Sequence, residues 1–99
     1  MSFSVRDAWW SLQYEIGEWA EKTFPKATPE TILAHLRREI EELAAKGDED
    51  ELADCLLLLM HYAHKKKLHS YQAILDKFAV NKARKWGKPD AEGVVEHVR

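Results

Sequence analysis

The sequence predicts a small all-α domain, on three observations. Apolar residues recur at intervals of three and four along most of the chain, which is the period of an amphipathic helix. The 99 residues include only 4 glycines and 3 prolines, and no stretch alternates as a strand would. A composition of 45% hydrophobic and 32% charged residues is typical of a folded domain. A chain of this length forms one core, so residues 1–99 are expected to be a single domain.

The first two helices have clear boundaries in the sequence. A stripe of apolar residues predicts a first helix over about residues 4–22, which Phe24-Pro25 ends. Thr28 has the properties of an N-cap, and Pro29 fits the first helical position after it. Gly47 is the natural C-cap of this second helix, since glycine adopts a left-handed conformation without strain.

The third and fourth helices come soon after the second in the sequence, and each has a recognisable start. Asp48 and Glu51 have the spacing of a capping box, which predicts a third helix that runs to about Lys66. Ser70 begins a fourth helix that ends near Trp86-Gly87. The apolar residues expected to face inward on it are Tyr71, Ile74, Leu75 and Phe78. The remaining segment, KPDAEGVVEHVR, is predicted to be a non-helical C-terminal tail.

The third helix predicts self-association. Its apolar residues include the run Leu56–Met60 and leave almost no polar side chains around the middle of the helix. A helix of this kind must be buried on nearly every side. Four short helices cannot bury one of their number completely. We therefore expect a bundle that is completed by oligomerisation, as a homodimer or a higher, even homo-oligomer.

Composition also excludes several classes of partner. The net charge of −2 and the pI near 6.2 provide no basic field for nucleic acid, so no nucleic-acid partner is expected. The single cysteine, Cys55, excludes an internal disulfide and fits a reducing compartment. The start of the chain lacks the pattern of a signal peptide. Leu56–Met60 is too short to cross a bilayer, so no membrane partner is expected and the predicted location is the cytoplasm.

Two pairs of acidic residues are the main candidates for chemistry. Glu39 and Glu42 are three residues apart near the end of the second helix, and Glu51 and Asp54 are three apart near the start of the third. That spacing puts both side chains of a pair on one helix face. If the two helices are antiparallel, all four carboxylates can point to one place. An all-oxygen site of this kind suits Mg²⁺ or Mn²⁺.

Each of these acids also has a structural explanation. Asp54 lies among apolar neighbours, and an ion pair with a base such as Arg84 explains it as well as a metal does. The capping box accounts for Glu51. Ion pairs on a solvated helix face, such as Glu42 with Lys46, account for the first pair. The argument for a metal therefore depends on the two pairs together.

A second set of polar residues lies on the fourth helix. Lys77, Asn81 and Arg84 share one narrow strip, and two cations with an amide donor can bind a polyphosphate. An ordinary solvated basic face is the alternative. His97 and Arg99 in the tail could close over such a site, although a frayed terminus explains them too.

Taken together, these motifs resemble the MazG-like all-α nucleoside triphosphate pyrophosphohydrolases. The resemblance covers about residues 19–99 and includes the two acidic pairs and the Lys/Asn/Arg set of the fourth helix. It is closest to the small dATP/dGTP diphosphohydrolase branch with the phage MazZ-type enzymes. The segments that match this branch are HLRREIEEL at 35–43, GDEDELAD at 47–54, and Trp86, Pro89 and EHVR in the tail.

The resemblance implies both an activity and an assembly. It implies hydrolysis of a (deoxy)nucleoside triphosphate, with dGTP or dATP preferred, to the monophosphate and pyrophosphate. The active site would lie near a subunit interface in a dimer or a dimer of dimers. One to three Mg²⁺ or Mn²⁺ ions would be held by the acidic pairs, with Glu39 as a candidate general base. The fourth-helix set would meet the phosphates. Candidates for the base pocket are Trp10, Gln13 and Trp19.

The sequence departs from the family pattern at two points, and two alternative functions remain open. Only eight residues separate Glu42 from Glu51, fewer than in many MazG relatives. Arg38 stands where many of them carry another glutamate, so a ligand of a second metal could be missing or replaced. The alternative functions are a phosphoribosyl-ATP pyrophosphatase, which is related in fold, and a non-catalytic helical module for oligomerisation or regulation.

Overall fold

The computed structural model describes residues 4–99, which contain four α-helices. They are α1 (Val5–Thr23), α2 (Pro29–Lys46), α3 (Glu49–Lys65) and α4 (Ser70–Ala83). The all-α, four-helix prediction is confirmed. Residues 84–99 form no helix, and in them Trp86 and His97 form an isolated antiparallel bridge. None of the helices within residues 4–99 has the length and apolar character needed to cross a membrane.

The boundaries of α2 and α3 are fixed by local capping. Thr28 and Thr31 cap each other's backbone at the start of α2, and Pro29 occupies the first helical position. Gly47 ends α2 in the left-handed conformation, with φ of 64°. Asp48 accepts a hydrogen bond from the Glu51 backbone at 3.0 Å, as an N-cap does. The reciprocal half of the predicted capping box is not formed, because the Glu51 carboxylate bonds to Lys46 instead.

Helix α3 is central, with α2 on one side and α1 on the other. α1 runs antiparallel to α3, since Glu21 bonds to Lys65 while Gln13, earlier in α1, bonds to Leu68. The two helices approach closely at Gly17, where an added Cβ would lie 2.0 Å from Cγ of His64. Glycine at this position therefore sets the distance between α1 and α3.

One expectation about α4 is wrong for the single chain. Ile74, Leu75 and Phe78 do not face a core but are 52%, 41% and 57% exposed. The physical reason is that α4 packs mainly against α1, and within residues 4–99 no second helix covers this face. Leu52 and Leu56 of α3 are exposed in the same way. The radius of gyration of 16.0 Å is correspondingly larger than the roughly 13 Å of a compact domain of about 100 residues.

Candidate active site

Three carboxylates converge where α2 and α3 lie side by side. Glu39 of α2 and Glu51 and Asp54 of α3 each offer an oxygen, and these oxygens lie within 4.8 Å of one another. The arrangement follows from the tight connection at Gly47 and Asp48, which turns the chain so that the end of α2 faces the start of α3. We call this group the carboxylate triad.

The triad combines buried and exposed members. The side chain of Glu51 is 12% exposed and that of Glu39 is 22% exposed, whereas Asp54 faces solvent. Glu39 lies 3.2 Å from Nε2 of His35, one turn earlier in α2. Burial, followed by the negative charge of the triad, raises the pKa of the Cys55 thiol behind it. The triad is therefore a strongly negative site that remains open to solvent on one side.

The fourth predicted ligand, Glu42, lies outside this group. It is exposed and forms an ion pair with Lys46, whose Nζ is 3.7 Å from the Glu42 carboxylate and 3.3 Å from Glu51. The hydrogen bond and charge of Glu51, with further charge from Glu42, raise the pKa of Lys46. Lys46 thus neutralises part of the acidic charge between the two carboxylates.

A cavity of about 630 Å³ lies next to the triad, between α2, α3 and the connection that precedes α2. Its apolar lining includes Phe24, Ile32 and Leu58. Two polar residues of the lining, His35 and Arg38, precede Glu39 in α2. The size and lining are those of a site for a small organic ligand. His35 also bonds to Glu39, so the cavity and the triad are neighbours.

Sequence reasoning did not propose the residues of this cavity. The sequence marks Phe24 only as a helix terminator, and Arg38 only as a departure from the family pattern. His61 gives the best available signal, because its spacing from Asp54 puts it on the same face of α3. The remainder depends on how the connection between α1 and α2 folds back over α3, which local periodicity does not encode.

Two of the predicted phosphate-binding residues, Lys77 and Asn81, lie on α4, and Arg84 directly follows this helix. Arg84 donates a hydrogen bond to the Asn81 side chain at 3.2 Å, and Lys77 is exposed. Within residues 4–99, neither a hydrogen bond nor an ion pair joins these three residues to the triad. His97 packs edge-on against Trp86, and Arg99 is exposed at the chain end.

The three predicted base-pocket residues of α1 occupy different surroundings. Gln13 is fully buried, donates to the Leu68 carbonyl at 2.8 Å and accepts from Ser70, so it fastens the connection between α3 and α4. Trp10 stacks on His69, with ring centroids 4.4 Å apart. Trp19 packs edge-on against Phe24, which lines the cavity.

Comparison with known proteins identifies the family. The sequence model of the dATP/dGTP pyrophosphohydrolase family matches residues 12–99. The chain belongs to this family. The resemblance stated from the motifs is thereby confirmed, and the protein is a nucleoside triphosphate pyrophosphohydrolase.

Two phage relatives support the assignment. A dATP/dGTP diphosphohydrolase of Cyanophage S-2L is 36% identical over 90 residues, which cover 88% of this chain and 85% of that protein. A dATP/dGTP diphosphohydrolase of Salmonella phage PMBT28 is 33% identical over 89 residues, which cover 88% of this chain but 30% of the longer relative.

A solved structure shares the fold. It is the Cyanophage S-2L MazG-like pyrophosphohydrolase bound to dGDP and three catalytic Mn²⁺ ions per active site. The TM-score is 0.78 at 34% identity, over 90% of this chain and 91% of the other. The MazG-like architecture predicted from the sequence is therefore confirmed.

Proposed function

We propose that this pyrophosphohydrolase converts dATP and dGTP to the monophosphate and pyrophosphate, with Mn²⁺ or Mg²⁺ bound by the carboxylate triad. The observation that carries the proposal is the convergence of Glu39, Glu51 and Asp54 within 4.8 Å. Three carboxylates at that distance repel one another unless a cation lies among them. The dGDP and Mn²⁺ ions in the related cyanophage enzyme support the same chemistry.

The donor set fits a hard divalent cation. Carboxylate oxygens are preferred by Mg²⁺ and Mn²⁺, whereas zinc sites usually include nitrogen or sulfur ligands. Glu39, Glu51 and Asp54 would together hold the ion, since one oxygen of each already lies within 4.8 Å of the others. Asp54, the exposed member, has room to adjust its side chain.

Glu42 is proposed as an additional ligand when more than one ion binds. The cyanophage relative holds three Mn²⁺ ions in each active site, and three carboxylates are few for that number. Glu42 is now paired with Lys46, at 3.7 Å, on the exposed side of the triad. A cation near Glu51 would repel Lys46, and its departure would free Glu42 to turn toward the ions.

The residues around the triad account for the reaction. A divalent cation held by Glu39, Glu51 and Asp54 would lower the pKa of a water ligand and neutralise charge on the triphosphate. The water oxygen attacks the α-phosphorus, the bond from that phosphorus to the bridging oxygen breaks, and pyrophosphate leaves. Glu39 accepts the proton of the water and can pass it to His35, which lies 3.2 Å away. Arg38, at the edge of the cavity, is available for a phosphate oxygen.

The deoxynucleoside is proposed to occupy the 630 Å³ cavity beside the triad. Its apolar lining suits the faces of a base, and Phe24 offers an aromatic ring for stacking. The triphosphate would then extend over Glu39 toward the ions.

A second copy of the chain is proposed to complete the site. The exposed apolar residues of α3 and α4, such as Leu56 and Phe78, are 49% and 57% exposed and need a partner surface. Lys77 and Asn81 lie on the same α4 and Arg84 directly follows it, so these residues would meet a triphosphate across such an interface. The proposed assembly is a dimer or a dimer of dimers.

Light scattering at several protein concentrations tests the assembly. Leu56→Glu and Phe78→Glu are expected to shift the protein to monomers, while Val5→Glu, at an exposed position of α1, serves as control. Monomers in the unaltered protein at micromolar concentration would contradict this part of the proposal.

Pyrophosphate release from dATP and dGTP tests the catalytic part. Asp54→Asn and Glu51→Gln are expected to reduce turnover by 100-fold or more, about the effect of removing one major electrostatic contributor to catalysis. Glu41→Gln is a matched control on an exposed position of α2. Asp54→Asn with unchanged activity would show that the triad is not the metal site. A panel that includes pyrimidine dNTPs and phosphoribosyl-ATP would define the substrate range.

A further inference from the structure

Lys46 is a cation in direct contact with the carboxylate triad. Its Nζ donates a hydrogen bond to Glu51 at 3.3 Å and lies 3.7 Å from Glu42, so one ammonium group serves two carboxylates. No other lysine or arginine of residues 4–99 forms an ion pair with the triad. The Lys46 side chain is 57% exposed, so a ligand bound at the triad can reach it.

A divalent cation at the triad would take over the partner of Lys46. Glu51 is one of the three proposed metal ligands, and its carboxylate attracts the ammonium less when it also holds an ion. Exposed ion pairs contribute little free energy, so Lys46 can leave this pair at a small cost. The ammonium then remains beside the occupied site, where a phosphate oxygen is an anionic group that it can bind.

The order of residues along one face of α2 indicates which phosphate this is. His35 and Arg38 line the cavity, and Glu39 belongs to the triad. Glu42 and Lys46 follow on the same face, four residues apart. At a rise of 1.5 Å per residue, Lys46 lies about 12 Å beyond Arg38 along the helix. A nucleotide with its base in the cavity and its triphosphate over Glu39 therefore directs its terminal phosphates toward Lys46.

We propose that Lys46 is a substrate-binding residue that exchanges Glu51 for the β- and γ-phosphates and stabilises pyrophosphate as the leaving group. This inference rests on the proposed function, which places the nucleoside in the cavity. When the bond from the α-phosphorus to the bridging oxygen breaks, its electron pair stays on that oxygen, which leaves with pyrophosphate. An ammonium group beside the leaving group offsets the negative charge that develops there.

The two reaction products separate this role from a general one. The nucleoside monophosphate occupies the cavity and the α-phosphate position, whereas pyrophosphate occupies the position next to Lys46. A hydrogen bond to a charged group corresponds to about tenfold or more in binding. In Lys46→Met, the inhibition constant of pyrophosphate is therefore expected to rise about tenfold, while that of dGMP stays within about twofold. The kcat/KM for dGTP should fall by at least the same factor.

Two further variants serve as controls. Lys46→Arg keeps the positive charge and donors that fit phosphate oxygens, so most of the pyrophosphate inhibition should return. Lys66→Met removes the same charge at the opposite end of α3, outside the proposed site, and should leave both inhibition constants unchanged. Urea unfolding in Mn²⁺ verifies that each variant is folded.

A titration with Mn²⁺ in the absence of nucleotide tests the exchange of partners without any turnover. Electron paramagnetic resonance of the free ion measures the Kd. Lys46→Met is expected to bind Mn²⁺ a few-fold more tightly than the original chain, because no ammonium competes for Glu51, and Lys66→Met should bind it as the original chain does. Unchanged or weaker Mn²⁺ binding in Lys46→Met would overturn the exchange.

The central experiment measures turnover of dGTP by the full chain at a constant concentration of free Mn²⁺, with either product added. Tenfold weaker inhibition by pyrophosphate in Lys46→Met, with unchanged inhibition by dGMP, is the result expected. Unchanged inhibition by pyrophosphate, or an equal loss for both products, would overturn the role of Lys46 and leave the proposed function intact. Failure of the original chain to hydrolyse any dNTP would overturn the proposed function, and the inference with it.

Discussion

Replacement of Asp54 by asparagine is expected to have opposite effects on stability with and without metal. Without a divalent cation, the variant should be more stable than the original chain, because Asp54 then no longer repels Glu39 and Glu51. With Mn²⁺, the original chain should gain stability and the variant should gain much less, because a metal ligand has been removed. A carboxylate that takes no part in metal binding would produce the first effect without the second.

The geometry of the triad determines the size of these effects. Two unit charges at the largest separation, 4.8 Å, repel by about 0.9 kcal/mol in a water-like dielectric and about 3.5 kcal/mol at an effective dielectric of 20. Asp54 is exposed, so the lower value applies to each of its two contacts. The metal-free variant is therefore expected to gain about 1–2 kcal/mol. Mn²⁺ at 100 times its Kd stabilises the original chain by about 2.7 kcal/mol.

Urea denaturation in EDTA and in Mn²⁺ measures both effects. Asp50→Asn is the matched control, since it is also an acid-to-amide change in the first turns of α3 but lies outside the triad. The control should respond to Mn²⁺ as the original chain does. The reasoning would be refuted if Asp54→Asn were destabilised in EDTA and stabilised by Mn²⁺ to the same extent as the control.

Three further predictions concern the scaffold. Gly17→Ala is expected to lower stability by about 1–3 kcal/mol in urea denaturation, because its Cβ would lie 2.0 Å from Cγ of His64; an unchanged midpoint would contradict this. Glu21→Gln is expected to reduce stability at pH 7 by about 1 kcal/mol. Since the pKa of Glu21 is lowered in the fold, its contribution is present above the ordinary value and is lost as the pH falls through the lowered one. The variant and the original chain should therefore converge in acid, and a constant difference down to pH 2 would refute the Lys65 pairing. Gln13→Leu is expected to cost about 1–3 kcal/mol by leaving polar groups of the α3–α4 connection unpaired, measured as a lower thermal midpoint; a rise would refute this.

Local signals in the sequence were sufficient for the boundaries of α2 and for the starts of α3 and α4, whereas α4 ends at Ala83 and not near Trp86-Gly87 as predicted. Thr28 with Pro29 and the glycine at position 47 are determined by backbone conformation within a few residues, and the structure has them as predicted. The orientation of α4 was not predictable in the same way. Its apolar residues indicate that the helix buries a face, but periodicity does not say whether the partner surface belongs to the same chain. In this chain that face is exposed.

The candidate site can likewise be predicted in part from local sequence signals, while the rest of it depends on tertiary structure. Glu39, Glu51 and Asp54 converge because helical spacing and one short turn suffice to bring them together. Glu42 has the same spacing but is turned outward to Lys46, because the choice between an ion pair and a metal ligand depends on side-chain rotation. The cavity with His61 depends on the path of residues 24–28 over α3, which is a tertiary feature.

The most direct test of the central claim is phosphorus NMR of dGTP that has been incubated with the protein in Mn²⁺ or in EDTA, with the paramagnetic Mn²⁺ removed on a chelating resin before the spectrum is recorded. The account predicts dGMP and pyrophosphate in equal amounts with Mn²⁺, and intact dGTP in EDTA. The formation of dGDP and inorganic phosphate, or equal hydrolysis in EDTA, would contradict it.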